Sequence, residues 1–356
     1  MAGAGDKLIL APGIYDKGLP VYYKSGTAEN PLVIEGAKDR SQVVLRARKG
    51  ANTISIVDSS YVIIRNLTIN GNRQYVDGIK AEGHSEFSHH ITLENIDIFN
   101  QGRHQQIVGI STKSPAWNWV VRGVRIYDAG TGMYFGDSDG YSPFINGIIE
   151  NNKIFNTLGY NLQIKHQIVR RDEIPGMPTE TGETIIRDNI FGKMKNSSIK
   201  HLARPNVLVG HWPLGGAGKD DVYKIYNNVF YMNPHEALFQ GEGNIELHNN
   251  IFYRDTENNF PAIAIQPHNC VPKNISINGN TVVTRGTGIR IMGGDKHYSQ
   301  KVTGNNIFAD VPVIGGEQEN NQQFTVISLQ EKMPEIESLL EKLRQLSKQG
   351  YRGNSR

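Results

Sequence analysis

The sequence predicts an all-β solenoid followed by a C-terminal amphipathic helix, and three observations lead to that expectation. First, a short β-branched strand with a turn residue inside it recurs as IIRNLTI, TLENIDI, VVRGVRI, IIENNKI, KIYNNVF, ELHNNIF, SINGNTV and KVTGNNI. With Asn66, Asn95, Gly123, Asn151, Asp188, Asn227, Asn249, Gly279 and Gly304 taken as equivalent, the intervals are 29, 28, 28, 37, 39, 22, 30 and 25 residues. That scatter excludes helical repeats of fixed length. Second, another short strand follows in most intervals, as in DGIKAEG, VGISTKS, TGMYFGD, NLQIKHQ, EALFQGE and TGIRIMG, and the intervals are closed by Gly, Asn and Asp. Third, LQEKMPEIESLLEKLRQLSKQ places Ile336, Leu339, Leu340, Leu343 and Leu346 at helical spacing among charges.

Composition permits this and narrows the function. A chain of 356 residues can bury a large core without staples. Its one cysteine, Cys270, excludes an internal disulfide framework. A net charge of +3, from 38 basic and 35 acidic residues, is far from the field of a protein that wraps nucleic acid, and no dense basic patch interleaves with aromatic residues. No nucleic-acid partner is therefore expected. No apolar run reaches the roughly 20 residues of a membrane-spanning helix.

Each strand element follows from its punctuation. An Asn at the same corner of successive coils can stack into a ladder of side-chain amides, and Asn152, Asn189, Asn228, Asn250, Asn280 and Asn305 fit that role. Two intervals exceed the repeat, and their extra residues fall in HQIVRRDEIPGMPTETGE (166–183) and GKMKNSSIKHLARPN (192–206), on either side of VLVGHWP. Long insertions in a compact fold tend to be functional, so the main cleft is expected between them. The division is 1–326 for the solenoid and 327–356 for a helical tail that caps the coil, packs on its flank or binds a partner.

The opening GDKLILAPGIY, followed by SGTAENPLVIEG, resembles the first coil of polysaccharide lyases of the chondroitinase B and alginate lyase type. With the repeats, it marks the chain as similar to the right-handed parallel β-helix, or pectate-lyase-like, superfamily over about residues 5 to 315. The resemblance implies a carbohydrate-active protein with an acidic polysaccharide as partner. It also implies a secreted or periplasmic location, with an export signal removed ahead of Met1. The vWiDH and RxPxxR motifs of pectate lyases and the NTD, DD and GHG series of polygalacturonases are absent, and KHLAR (200–204) only loosely echoes the Lys and Arg pair of the chondroitinase B type.

Alternation within NLQIKHQ places Leu162 and Ile164 inside and Gln163 and Lys165 outside, and it exposes Lys80, Ser111, Lys113, Tyr134, His211 and Arg290 on equivalent strands. The flanking loops add Arg170, Arg171, Lys200, His201 and Arg204. Such a cationic, titratable surface suits a uronate polymer. Lyase or C5-epimerase chemistry must neutralise the substrate carboxylate and remove the C5 proton, and elimination must also protonate the departing O4. The candidate catalytic residues are His211 or His166 as base, Lys165 and Arg204 against the carboxylate, and Tyr134 as acid. Candidate substrate-binding residues are Lys113, Arg170, Arg171, Lys200, His201, Trp212, Gln163 and Glu242. Each has an ordinary alternative as a solvated charge or a packed turn. Trp117 and Trp119 offer flat rings that either stack on sugars or lie buried.

Two other functions remain open on sequence. Asp137, Asp139 and Glu242 could serve a glycoside hydrolase, which needs two carboxyl groups. A non-catalytic glycan-binding or surface-assembly solenoid would spread its polar residues along the coil. Asp220 and Asp221 in GKDDVY fall short of the several oxygen ligands calcium requires, so neither metal nor cofactor is assigned.

Overall fold

The computed structural model describes residues 2–83, 85–102, 104–171, 173–194 and 197–349. The chain winds as a right-handed parallel β-helix in which every strand pairs in parallel with its counterpart one coil away. A typical coil contributes three strands, such as Val120–Arg122 to a first sheet, Arg125–Tyr127 to a second and Thr131–Phe135 to a third. The bend between the first and second sheets falls on the equivalent positions from Asn66 to Gly304, where φ lies between 52° and 64°. Only glycine, asparagine and aspartate visit that left-handed region cheaply, and for this reason these three residues alone fill the corner.

The residue after the bend points inward. From Asn152 onward it is an asparagine, and the side chains form a continuous ladder. Asn152 Nδ2 donates to Asn189 Oδ1 at 2.9 Å, and the pattern continues through Asn228, Asn250, Asn280 and Asn305. Asn321, which the repeat reading missed, adds one more rung at 2.9 Å. Each amide also serves the backbone of the coils on either side, so the polar bend is satisfied without water. The apolar core runs unbroken from Val21 to Ala309, and Ile164, Ile186, Phe191 and Val207 carry it straight past the two long insertions.

The three outer faces differ. On the first sheet, Glu35, Arg65, Glu94, Arg122, Glu150 and Arg187 stack in register with alternating sign. Arg65 meets Glu35 at 2.7 Å, Arg122 meets Glu94 at 3.3 Å and Arg187 meets Glu150 at 2.6 Å. The later coils of the second sheet are covered. Ile336, Leu340 and Leu343 of the helix Pro334–Gln349 pack on Tyr231, Tyr253, Val283 and Phe308, so the tail lies on the flank of the coil. The side chain of Leu346 and residues 350–356 lie outside the described residues. No helix among the described residues packs on the third sheet around Tyr134 and Lys165.

Candidate active site on the third sheet

The first insertion leaves the third sheet at the C-terminal end of Leu162–Ile164, and the second enters at the N-terminal end of Val207–Val209, so the loops border opposite edges of one sheet. Tyr134, Gln163 and Leu208 stand in register on its outer face, one coil apart. Two residues further on come Lys113, Gly136, Lys165 and Gly210, placed by the bonds from Lys165 N to Phe135 O and from Gly210 N to Ile164 O. Glycine is required at 210, because a Cβ there would run into the backbone of Lys165 and His166. The absence of side chains at Gly136 and Gly210 leaves Lys165 standing in an opening.

Four titratable groups on this face are displaced from their ordinary behaviour by burial. Lys113 Nζ lies 3.5 Å from the Tyr134 ring centroid. Burial lowers the pKa of this ammonium, against the pull of Asp137 and Asp77. Burial raises that of the Tyr134 phenol, against a hydrogen bond with the Ser138 hydroxyl. Lys165 is lowered by burial, against Asp137 and Glu242. His166 is lowered by burial and then by Lys165. The His166 and His211 rings stack with centroids 5.4 Å apart and planes 23° apart. His211 Nδ1 lies 2.9 Å from the Trp212 carbonyl oxygen. A carbonyl can only accept, so Nδ1 carries the proton and the lone pair of Nε2 is free to take another.

Several sequence-based expectations are corrected. Arg170 does not face the sheet: its guanidinium is buried against Asp221 and donates to the carbonyls of Pro178 and Glu180 at 3.0 Å, bracing one loop on another. Burial pushes this guanidinium down to about 10. Trp212 is 1% exposed and stacks on Tyr223 at 4.4 Å, so it cannot stack on a sugar. Trp117 and Trp119 are likewise buried, the first against His89 and the second donating to Ser88 O at 2.8 Å. Ser111 is buried and donates to Asp77 at 2.8 Å. Glu242 is 3% exposed and accepts the amides of His268 and Asn269 at 2.8 and 2.9 Å, which fixes a turn. Asp137 and Asp139 accept the amides of Ser138 and Tyr141 in the same way.

Arg204 sits at the opposite end of Val207–Val209 from His211, with its guanidinium donating to the carbonyls of His201 and Ala203. The structure therefore does not bring it to Lys165. Lys200 and His201 share that edge on an exposed turn, while Arg171 lies at the other edge, 4.3 Å over the Tyr141 ring. Gln163 forms part of the floor and is 6% exposed. A concavity of about 520 Å³ lies away from Lys165, at the corner between the second and third sheets.

Three features carried no sequence signal. Asp77, buried beneath Ser111, has its carboxyl raised by burial. Lys193 is fully buried, fastens the second insertion by donating to Arg204 O at 2.7 Å, and is pushed down to about 7 by burial. His89 and His90 face each other through Nδ1 atoms 2.6 Å apart, with His90 stacked on Tyr61 at 4.2 Å. Burial lowers His89 to about 4. Because the unfolded histidine binds its proton near pH 6.5, the unfolded state gains protons first, and this pair costs stability as pH falls from about 6.5 to about 4. Discounted for partial exposure, the loss is roughly 1–2 kcal/mol. Urea titrations at pH 7 and pH 4.5 should show it, with a smaller difference in His89→Gln; an unchanged difference would remove the assignment.

No protein-family model and no curated protein matches this chain. Among solved structures, it is similar to the A-module of the mannuronan C-5 epimerase AlgE6 from Azotobacter vinelandii, with TM-score 0.54, 16% identity and 90% of each chain covered. It is also similar to AlyGC, a PL6 family alginate lyase, with TM-score 0.50 and 12% identity, over 91% of this chain and 51% of that one. At these identities the likeness shows the parallel β-helix fold alone. No helix among the described residues is long and apolar enough to cross a membrane.

Proposed function

We propose that the chain acts on a uronate-containing polysaccharide by β-elimination or C5 epimerisation, using the open face of the third sheet. One observation carries this reading: Lys113, Tyr134, Lys165 and His166, all displaced by burial, stand together with His211 on the outer face of the third sheet. Clusters of perturbed groups mark functional sites more often than structural ones. AlgE6 and AlyGC, whose names record chemistry on mannuronan and alginate, support the same substrate class. A location outside the cytoplasm, secreted or periplasmic, goes with it.

In this mechanism the ammonium of Lys165, with Lys113 beside it, neutralises the substrate carboxylate and makes the C5 proton acidic. His211 Nε2 takes that proton. Its Nδ1–H, held on the Trp212 carbonyl, supports the imidazolium that forms. For elimination, the C5–H electron pair becomes the C4–C5 double bond as the C4–O4 bond breaks, and the Tyr134 phenol gives its proton to O4. Burial suits Tyr134 to this role because it keeps the phenol protonated. For epimerisation, the Tyr134 phenol gives its proton to C5 from the face opposite His211 instead of to O4, and the chain is not cut. His166, held neutral by burial and by Lys165, packs against the His211 ring and positions it.

Incubation with a panel of uronate and neutral polysaccharides tests the reaction class. Elimination leaves an ultraviolet-absorbing double bond with no added water, and epimerisation changes the sugar without shortening the chain; either is the expected result. Hydrolysis would return attention to the turn carboxylates Asp137 and Asp139, and binding without turnover would make this a glycan-binding module.

A further inference from the structure

The corner between the second and third sheets holds a concavity that the chemistry above does not use. Phe99, Tyr127 and Phe155 pair in register, so the residues that follow them, Asn100, Asp128 and Asn156, stack along the corner about 4.8 Å apart. All three are left-handed, with φ of 55° to 56°, which fixes the backbone from which their side chains project. They line a cavity of about 520 Å³, together with Arg73 and Leu158. That volume falls within the usual range for small-molecule sites, roughly 300–1,000 Å³. The corner is separated from Lys165 by the strand Thr131–Phe135, a span of roughly 15 Å.

We propose that this corner is a second carbohydrate site, for one or two neutral hexose rings. The lining selects the class. An apolar ligand would strip water from the amide, carboxylate and guanidinium groups and give nothing back. An anion would meet the carboxylate of Asp128. A divalent cation would find one carboxylate beside a guanidinium, well short of its oxygen shell. Vicinal sugar hydroxyls each donate and accept, and a row of planar side chains that accept at Asp128 and at Asn100, whose Nδ2 reaches Asn70 Oδ1 at 3.4 Å, and donate at Arg73 matches that pattern. Leu158 supplies the apolar wall on which the C–H face of a ring can rest. A polymer held here stays at high local concentration beside the third sheet even when its reacting unit dissociates. The site does not depend on the elimination reading, because a neutral sugar has no acidic C5 proton.

Calorimetric or saturation-transfer titration of the whole chain with cellobiose, lactose and mannobiose tests the proposal. At least one is expected to bind with a millimolar Kd. Asp128→Gly, which keeps the left-handed backbone unstrained, and Leu158→Trp, which fills the cavity, are each expected to weaken that binding at least 10-fold. Lys165→Ala is expected to leave it unchanged. Near-ultraviolet circular dichroism checks that each variant is folded, and if one is not, the other decides. No binding by any of the three sugars, wild-type affinity in the folded variants, or loss of binding in Lys165→Ala would each overturn the proposal.

Discussion

His211→Ala is expected to lower turnover of a uronate polymer by roughly 10²-fold or more, the usual scale for removal of an acid–base group, with the fold unchanged. Lys165→Ala should do the same for a different reason. Its charge acts on the carboxylate as the C5 proton leaves, so its loss should appear in kcat as well as in KM. His166→Ala should cost less than either, because that ring positions another. Steady-state kinetics on whichever polymer of the panel reacts would read all three. Full activity in both His211→Ala and Lys165→Ala would move the site off this face.

The largest effect on stability is expected at the middle of the asparagine ladder. Asn228 Oδ1 accepts from the Asn189 backbone and side chain at 3.0 and 2.9 Å, while its Nδ2 donates to Ile186 O, Tyr226 O and Asn250 Oδ1. Asn228→Ala removes all of these and strands buried donors and acceptors on two neighbouring coils. At about 1–3 kcal/mol for each unsatisfied group, and without full additivity, the total loss is roughly 3–5 kcal/mol. Asn227→Gly, one residue away, keeps the left-handed bend and should change stability by less than about 0.5 kcal/mol. Urea unfolding of the two variants separates side-chain bonding from backbone conformation. Equal losses would show that the bend, and not the ladder, carries the stability.

The coil was legible because its corner is a stereochemical filter. Nine positions spaced irregularly along the chain are all Gly, Asn or Asp, and all nine take positive φ. Asn321 escaped because the strand Asn306–Ile314 runs through the second and third sheets and turns at once into Glu317–Glu319, so this asparagine follows Asn305 by only 16 residues and breaks the interval on which the repeat was recognised. Alternation placed Lys165 and Gln163 correctly on the outside of the strand. It failed for Ser111, which is buried on Asp77, and it could say nothing of Arg170 and Glu242, whose partners Asp221 and the amides of residues 268–269 lie in loops that follow no period. Trp212 gave no local sign that Tyr223, from the next strand of the first sheet, would cover it. A strand pattern reports which way a side chain points; it carries no information about what an irregular loop lays over it.

The alternating acids and arginines on the first sheet have an effect well beyond their own pairings. The sign alternates from each coil to the next, so the pattern repeats every two coils, roughly 10 Å, close to the Debye length of about 8 Å in physiological salt. At a few such lengths their fields cancel, and a dissolved polyanion approaching that side meets an electrically silent wall. The ammonium groups of Lys113 and Lys165 face a different direction, on the third sheet. Under the proposed reading, an acidic chain diffusing up would be drawn to the third sheet more than to the first, so its approach would be directional before any contact forms.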